Sequence, residues 1–287
     1  MIDAAISPLV LDRMEIEESG VEPSRLAAAI HAQLPKLDSS VPVHAIAAAL
    51  DITEIREAVI TSFEGALVMT PDRGKGSIVV NANSSFQRRR FTIAHELGHF
   101  LNIWHRPINP DGGFTCRIQD LTQSWSTGSR EQDRHRVQEA EANRFAIELL
   151  APRSMLRTFL KGIPDIAKIL RIAKSLDLSR EASARRYIEL HEEPLALVFS
   201  KAGVVRYINR NDGFPFINLH RGDLLPSLPT LLDGTAMTDH EQADLRDWGL
   251  RPSGSDLVVQ TLFQENGFAM TLLALDRSET QTDDSSF

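Results

Sequence analysis

The chain of 287 residues holds one cysteine, two tyrosines and no apolar run near the roughly 18 residues that span a membrane. The single thiol, Cys116, excludes an internal disulfide, so the fold must rest on its packed core. An apolar content of 42% suffices for one large or two ordinary domains. The opening residues lack the basic start and apolar centre of a secretory signal, which sets the expectation of a cytoplasmic protein. Internal repeats are missing, and the one polar tract, SETQTDDSSF at 278–287, is expected to be disordered. A surplus of positive charge is also missing. The formal net charge of -8 argues against a nucleic-acid binder that uses its whole surface.

What is present is the pentapeptide His95-Glu96-Leu97-Gly98-His99. On a helix, residues four apart lie on one face, so both imidazoles can hold one zinc ion with the Glu96 carboxylate alongside. Zinc acidifies water to a pKa of about 7, and a neighbouring carboxylate can take the proton as that water attacks a peptide carbonyl. The chemistry indicated is peptide hydrolysis, with His95 and His99 as ligands and Glu96 as general base. Gly98 costs about 1 kcal/mol relative to alanine inside a helix. A close backbone approach, with the sheet as the expected neighbour, would account for it.

Around this motif, residues 23–34 and 42–50 read as Ala-rich helices with prolines at their starts. Short β-like runs follow at 52–60, 66–69 and 77–81. Ser84 and Gln87 form a capping-box pattern opening the metal helix, expected over about 85–104. A long polar loop is expected over 106–129, then a helix over about 130–150 and two shorter ones over 165–176 and 179–191, with Ser179 as an N-cap. Beyond Pro194, alternating apolar and polar residues around Gly-containing turns predict antiparallel strands, with Asn266-Gly267 as a hairpin turn.

A catalytic zinc site needs a third protein ligand. Glu139 is one candidate, four residues before Asn143 on a later helix, so the amide can orient a ligand imidazole from behind. Glu141, two residues on, competes with Glu139 for that role and points elsewhere on the helix. His105 is another candidate, ten residues after His95 as in HExxHxxGxxH, with Asn102 where that pattern has glycine.

The runs Arg90-Phe91-Thr92-Ile93-Ala94-His95-Glu96-Leu97-Gly98-His99 and Glu139 to Phe145, closing on Leu149-Leu150-Ala151-Pro152, resemble the ImmA/IrrE family of bacterial zinc metallopeptidases. The resemblance covers about residues 40–190, with Ala151 where the family usually has methionine. It implies a gluzincin-like site with His95, His99 and Glu139 as ligands, Glu96 as base, and a DNA-binding repressor as substrate. A setting in stress, DNA-damage or phage-defence and mobile-element control is likewise implied by the resemblance.

Three further features carry hypotheses. Cys116 lies in the loop joining the two ligand-bearing helices; its thiolate could take the fourth zinc position as an inhibitory latch, or it could be a small apolar filler. With only two tyrosines, stabilising the oxyanion falls to a histidine or arginine, and His135 is eligible one turn before Glu139. Residues 153–189 carry nine basic against four acidic residues, a net of +5. Their helix-turn-helix look makes Lys168, Arg171, Lys174, Arg180, Arg185 and Arg186 candidate phosphate contacts, against the alternative of a packing pair with a solvated basic face. Residues 190–287 carry seven basic against fifteen acidic residues, a net of -8, which suits a basic partner.

The fold class expected is α+β. It comprises a helical zinc-peptidase domain with a small antiparallel sheet (1–152), a helix-turn-helix-like segment (153–191) and an antiparallel α+β domain of GAF-like or PAS-like type (192–277), followed by the tail (278–287). The function expected is a regulated zinc endopeptidase cleaving a helix-turn-helix repressor, with a nucleic acid or small molecule as signal and no membrane partner. The rival is a noncatalytic zinc-containing regulator that binds DNA or a partner protein.

Overall fold

The structure, a computed structural model, describes residues 9–37, 39–107, 113–116, 130–226, 236–252 and 254–276, without the side chains of Cys116 and 130–132. The chain forms two compact units, 1–155 with 175–179, and 156–174 with 180–287. Among the described residues, no helix is long and apolar enough to cross a membrane.

The first unit begins with three helices, α1 (Arg13–Glu18), α2 (Pro23–Gln33) and α3 (Val43–Ala49). Strands β1 (Ile52–Ala58), β2 (Gly65–Met69) and β3 (Gly76–Asn81) come next, then α4 (Phe86–Leu101), β4 (Gly113–Cys116) and α5 (Arg130–Leu150). The strand order is β1-β3-β2-β4, antiparallel except for the parallel pair β1–β3. Strand β4 lies inside the stretch expected to be loop. It forms the sheet edge, with Cys116 opposite Gly65.

Helix α4 is the centre of this unit. Ser85, one residue later than the capping-box pattern suggests, is its N-cap and accepts from the Arg88 N–H. Ser84 instead donates to Glu64. Ile93, Leu97, Phe100 and Leu101 are buried, and α4 packs against α3, α5 and the sheet. Gly98 is approached by α5 and not by the sheet: a Cβ there would stand 3.0 Å from Phe145 Cδ1 and 3.3 Å from Ala142 Cα. The end of α4 is held by Arg73, whose guanidinium donates to the carbonyls of His99, Phe100, Asn102 and His105. Arg73 itself has a φ of 56°, in the left-handed region.

A short helix, α6 (Arg153–Leu156), is followed by α7 (Ile166–Leu176) and α8 (Arg180–Leu190). The second unit contains β5 (Leu195–Lys201), β6 (Val204–Arg210), β7 (Glu241–Ala243), β8 (Asp256–Phe263) and β9 (Phe268–Asp276). These form one antiparallel sheet in the order β6-β5-β9-β8-β7. Asn266 and Gly267 turn β8 into β9 with φ of 58° and 74°, the left-handed pair that Asn-Gly adopts at least cost. Ala196, Val198, Leu257 and Leu273 pack with Phe214 and Trp248 in one core on this sheet. The architecture is α+β, and the C-terminal sheet fits a sensor-like domain. The tail from 277 lies outside the described residues.

Candidate metal centre

His95 and His99 project from one side of α4 toward α5, where Glu139 meets them. The Glu139 carboxylate oxygens stand 3.2 Å from His95 Nε2 and 3.2 Å from His99 Nε2, and the two Nε2 atoms are 3.1 Å apart. One ligand atom from each residue falls within 4.8 Å of the others, and all three side chains are buried. Among the described residues, this is the group of histidine, cysteine and acidic side chains placed to hold a metal ion.

The charges suit a cation. Burial lowers the His99 pKa to about 3, so the ring is neutral at physiological pH. Burial acts to raise the Glu139 carboxyl, but the polar contacts of the His95 and His99 rings outweigh it and hold the group well below the usual carboxylate range. Two imidazoles and one carboxylate therefore converge in a buried site, the nitrogen and oxygen donor set that zinc takes. The residues present fit the metal.

The rings are fixed from behind. Asn143, on α5, places its Oδ1 3.0 Å from His95 Nδ1. His99 stacks on Phe114 of β4, with ring centroids 4.5 Å apart and 19° between planes. Its Nδ1 lies 2.8 Å from His105 Nδ1, and His105 Nε2 lies 2.8 Å from Glu141 Oε2. His105 thus stands behind His99, while Glu139 alone of the two nearby glutamates faces the cluster. His135 Nδ1 is 3.5 Å from Glu139 Oε1, at the rim of the site and partly exposed.

Glu96 is fully buried on the same helix. Gly65 of β2 runs beside it: a Cβ at Gly65 would lie 3.2 Å from Glu96 Oε1 and would collide with the Thr92 methyl. The missing side chain at Gly65 is what lets a strand pass this close to the carboxylate. Sequence reasoning did not single out Gly65, Phe114 or Arg73.

Residues 52–187 match the IrrE N-terminal-like domain, a peptidase family. Over those residues the chain is similar to this family. That segment contains both ligand-bearing helices, and the family points to a metallopeptidase of the IrrE/ImmA type. A comparison with curated proteins finds no match. Among solved structures, a Mycobacterium tuberculosis transcriptional regulator matches over 92% of this chain and 74% of its own, at 15% identity and a TM-score of 0.46.

The remaining candidate residues are dispersed. The Cys116 side chain lies outside those described. Arg186 is buried and paired with Glu189 at 3.1 Å, which makes it part of the packing and not of a basic surface. Lys168 donates to the carbonyls of Lys161 and Ile163, and Arg185 pairs with Glu181 while lying over the Tyr207 ring. Arg180 donates to Gln264. Arg171 lies over Phe159, and Arg171 and Lys174 are exposed.

Proposed function

We propose that the chain is a regulated zinc endopeptidase that cleaves a DNA-binding repressor. The observation that carries the reading is the convergence of His95, His99 and Glu139 in one buried cluster, with Glu96 one residue after a ligand and also buried. A structural zinc site needs ligands and no base, so a buried carboxylate at this place favours catalysis over a purely structural metal.

Zinc held by these residues supplies Lewis acidity and an acidified water. Glu96 takes the proton of the attacking water and returns it to the leaving amine. Asn143 keeps His95 turned toward the site, and Phe114 presses on the face of His99. To His135, at the rim beside Glu139, we assign the role of donor to the oxygen that gains charge in the transition state. The choice of a repressor as substrate rests on the resemblance to IrrE and ImmA, and the acidic C-terminal third is complementary to a basic protein. The sensor-like sheet is assigned the task of licensing cleavage, with stress or mobile-element control as its setting.

The test is co-expression of the full chain with helix-turn-helix repressors encoded near its gene. A repressor fragment that appears with the wild type and vanishes with Glu96→Gln supports the proposal. Cleavage that survives Glu96→Gln refutes the mechanism. Repressor binding without cleavage under any inducing condition favours the noncatalytic regulator.

A further inference from the structure

The two candidate histidine ligands are supported differently. Behind His95 stands a neutral amide, Asn143. Behind His99 stands a series of two groups, His105 and then Glu141, linked by contacts of 2.8 Å and 2.8 Å. His105 is 1% exposed. Asn102 donates to Glu141 Oε2 from a third direction, and Arg73 fixes the segment by donating to the Asn102 and His105 carbonyls.

This series dictates tautomers. A carboxylate accepts and never donates, so Glu141 places the hydrogen of a neutral His105 on Nε2. His105 Nδ1 is then bare and can only accept. The nitrogen facing it, His99 Nδ1, must therefore carry its own hydrogen. That leaves His99 Nε2 bare, with its lone pair directed at His95 Nε2 and Glu139. The reverse assignment would put a hydrogen on His99 Nε2, where a metal must bind.

We propose that His105 and Glu141 are positioning residues that hold His99 in its ligating tautomer and orientation and raise its strength as a donor. A carboxylate behind a ligating imidazole is a general device for that purpose, and here a second imidazole extends its reach. The two residues act through His99 and touch no substrate. The inference rests on the reading of His95, His99 and Glu139 as a zinc site.

The test is zinc affinity of the purified full chain, measured in competition with a chromophoric chelator, for the wild type, Glu141→Ala, Glu141→Gln, His105→Phe and the Glu141→Ala/His105→Phe double variant. Thermal midpoints of the metal-free proteins are measured in parallel. Glu141 is partly exposed on a helix, so Glu141→Ala should fold whatever the fate of His105→Phe. The expected loss of affinity for Glu141→Ala is about 10–100-fold with the metal-free midpoint unchanged. Glu141→Gln, which keeps an acceptor for His105, should recover part of it. Because Glu141 acts only through His105, the double variant should be no weaker than His105→Phe alone. The visible spectrum of the cobalt-substituted protein should shift in Glu141→Ala. Unchanged affinity and cobalt spectrum in Glu141→Ala, or losses that simply add in the double variant, overturn the relay. A wild type that binds no zinc overturns the metal-site reading itself, and the relay with it.

Discussion

Gly98 of α4 and Phe145 of α5 are packed so closely that a single added Cβ would stand 3.0 Å from the Phe145 ring. This contact sets the separation of the helix bearing His95 and His99 from the helix bearing Glu139. The donor atoms converge only at that separation. A larger side chain should therefore damage metal binding more than folding. Gly98→Leu is expected to cost about 1–3 kcal/mol of stability through overpacking, and to weaken zinc binding more than Leu97→Met, a volume-conserving change beside it. Calorimetric unfolding and chelator competition on the two variants check this; equal zinc affinity in Gly98→Leu and wild type would contradict it.

A similar argument applies where β2 crosses the general base. In Gly65→Ala the new methyl collides with the Thr92 methyl and crowds Glu96. The strand or the carboxylate must move, so peptidase activity should fall while zinc content, which rests on the donor atoms of His95, His99 and Glu139, is retained. Thr92→Ser removes the offending methyl. Gly65→Ala/Thr92→Ser should thus recover activity that Gly65→Ala loses, which a cleavage time course with zinc analysis would show. Failure of the second change to restore activity would mean that Gly65 serves a purpose other than clearance.

Removing the metal should separate ligands from base. At zinc concentrations about 1,000 times the dissociation constant, binding stabilises the folded chain by about 4 kcal/mol. Chelation should lower the thermal midpoint of the wild type and of Glu96→Gln alike. It should leave Glu139→Ala nearly unmoved, because that variant lacks a donor from the start. A Glu96→Gln protein that also failed to respond to the chelator would place Glu96 among the ligands.

Much of this arrangement was legible in the residues. Helix α5, three strands of the first unit and the Asn266-Gly267 hairpin all announce themselves by periodicity or by turn chemistry. The HExxH run puts His95 and His99 on one face by helical spacing alone, whereas spacing leaves the third donor open among Glu139, Glu141 and His105, and the family resemblance is what points to Glu139. What was hidden depends on contacts distant in sequence. Helix α1 buries only Ile16, so its pattern is too sparse to see. Strand β4 has four residues and draws its identity from pairing with β2. The role of His105 follows from Arg73, a loop residue about thirty positions earlier whose guanidinium gathers the carbonyls that end α4. No local period connects those positions. The neighbour of Gly98, α5 and not the sheet, is hidden for the same reason: spacing tells that a residue faces inward, not which element it will meet.

Acid should weaken the first unit through a histidine remote from the metal. His31 of α2 places its Nε2 2.8 Å from the Leu149 carbonyl of α5, and burial pushes its pKa below the ordinary value of 6.5. The unfolded chain therefore takes up this proton near pH 6.5 while the folded one resists it. The stability His31 contributes is fully present above pH 6.5 and declines as the pH falls toward the folded-state pKa, by up to about 1.4 kcal/mol per pH unit for one proton. His44 is shifted the same way, mainly by burial, and adds to the slope. His31→Gln keeps a donor for the Leu149 carbonyl and removes the titration. Between pH 6.5 and 5, in the presence of a chelator, its urea midpoint should fall less steeply than that of the wild type. Parallel slopes would show that burial at the α2–α5 contact does not set this proton's affinity.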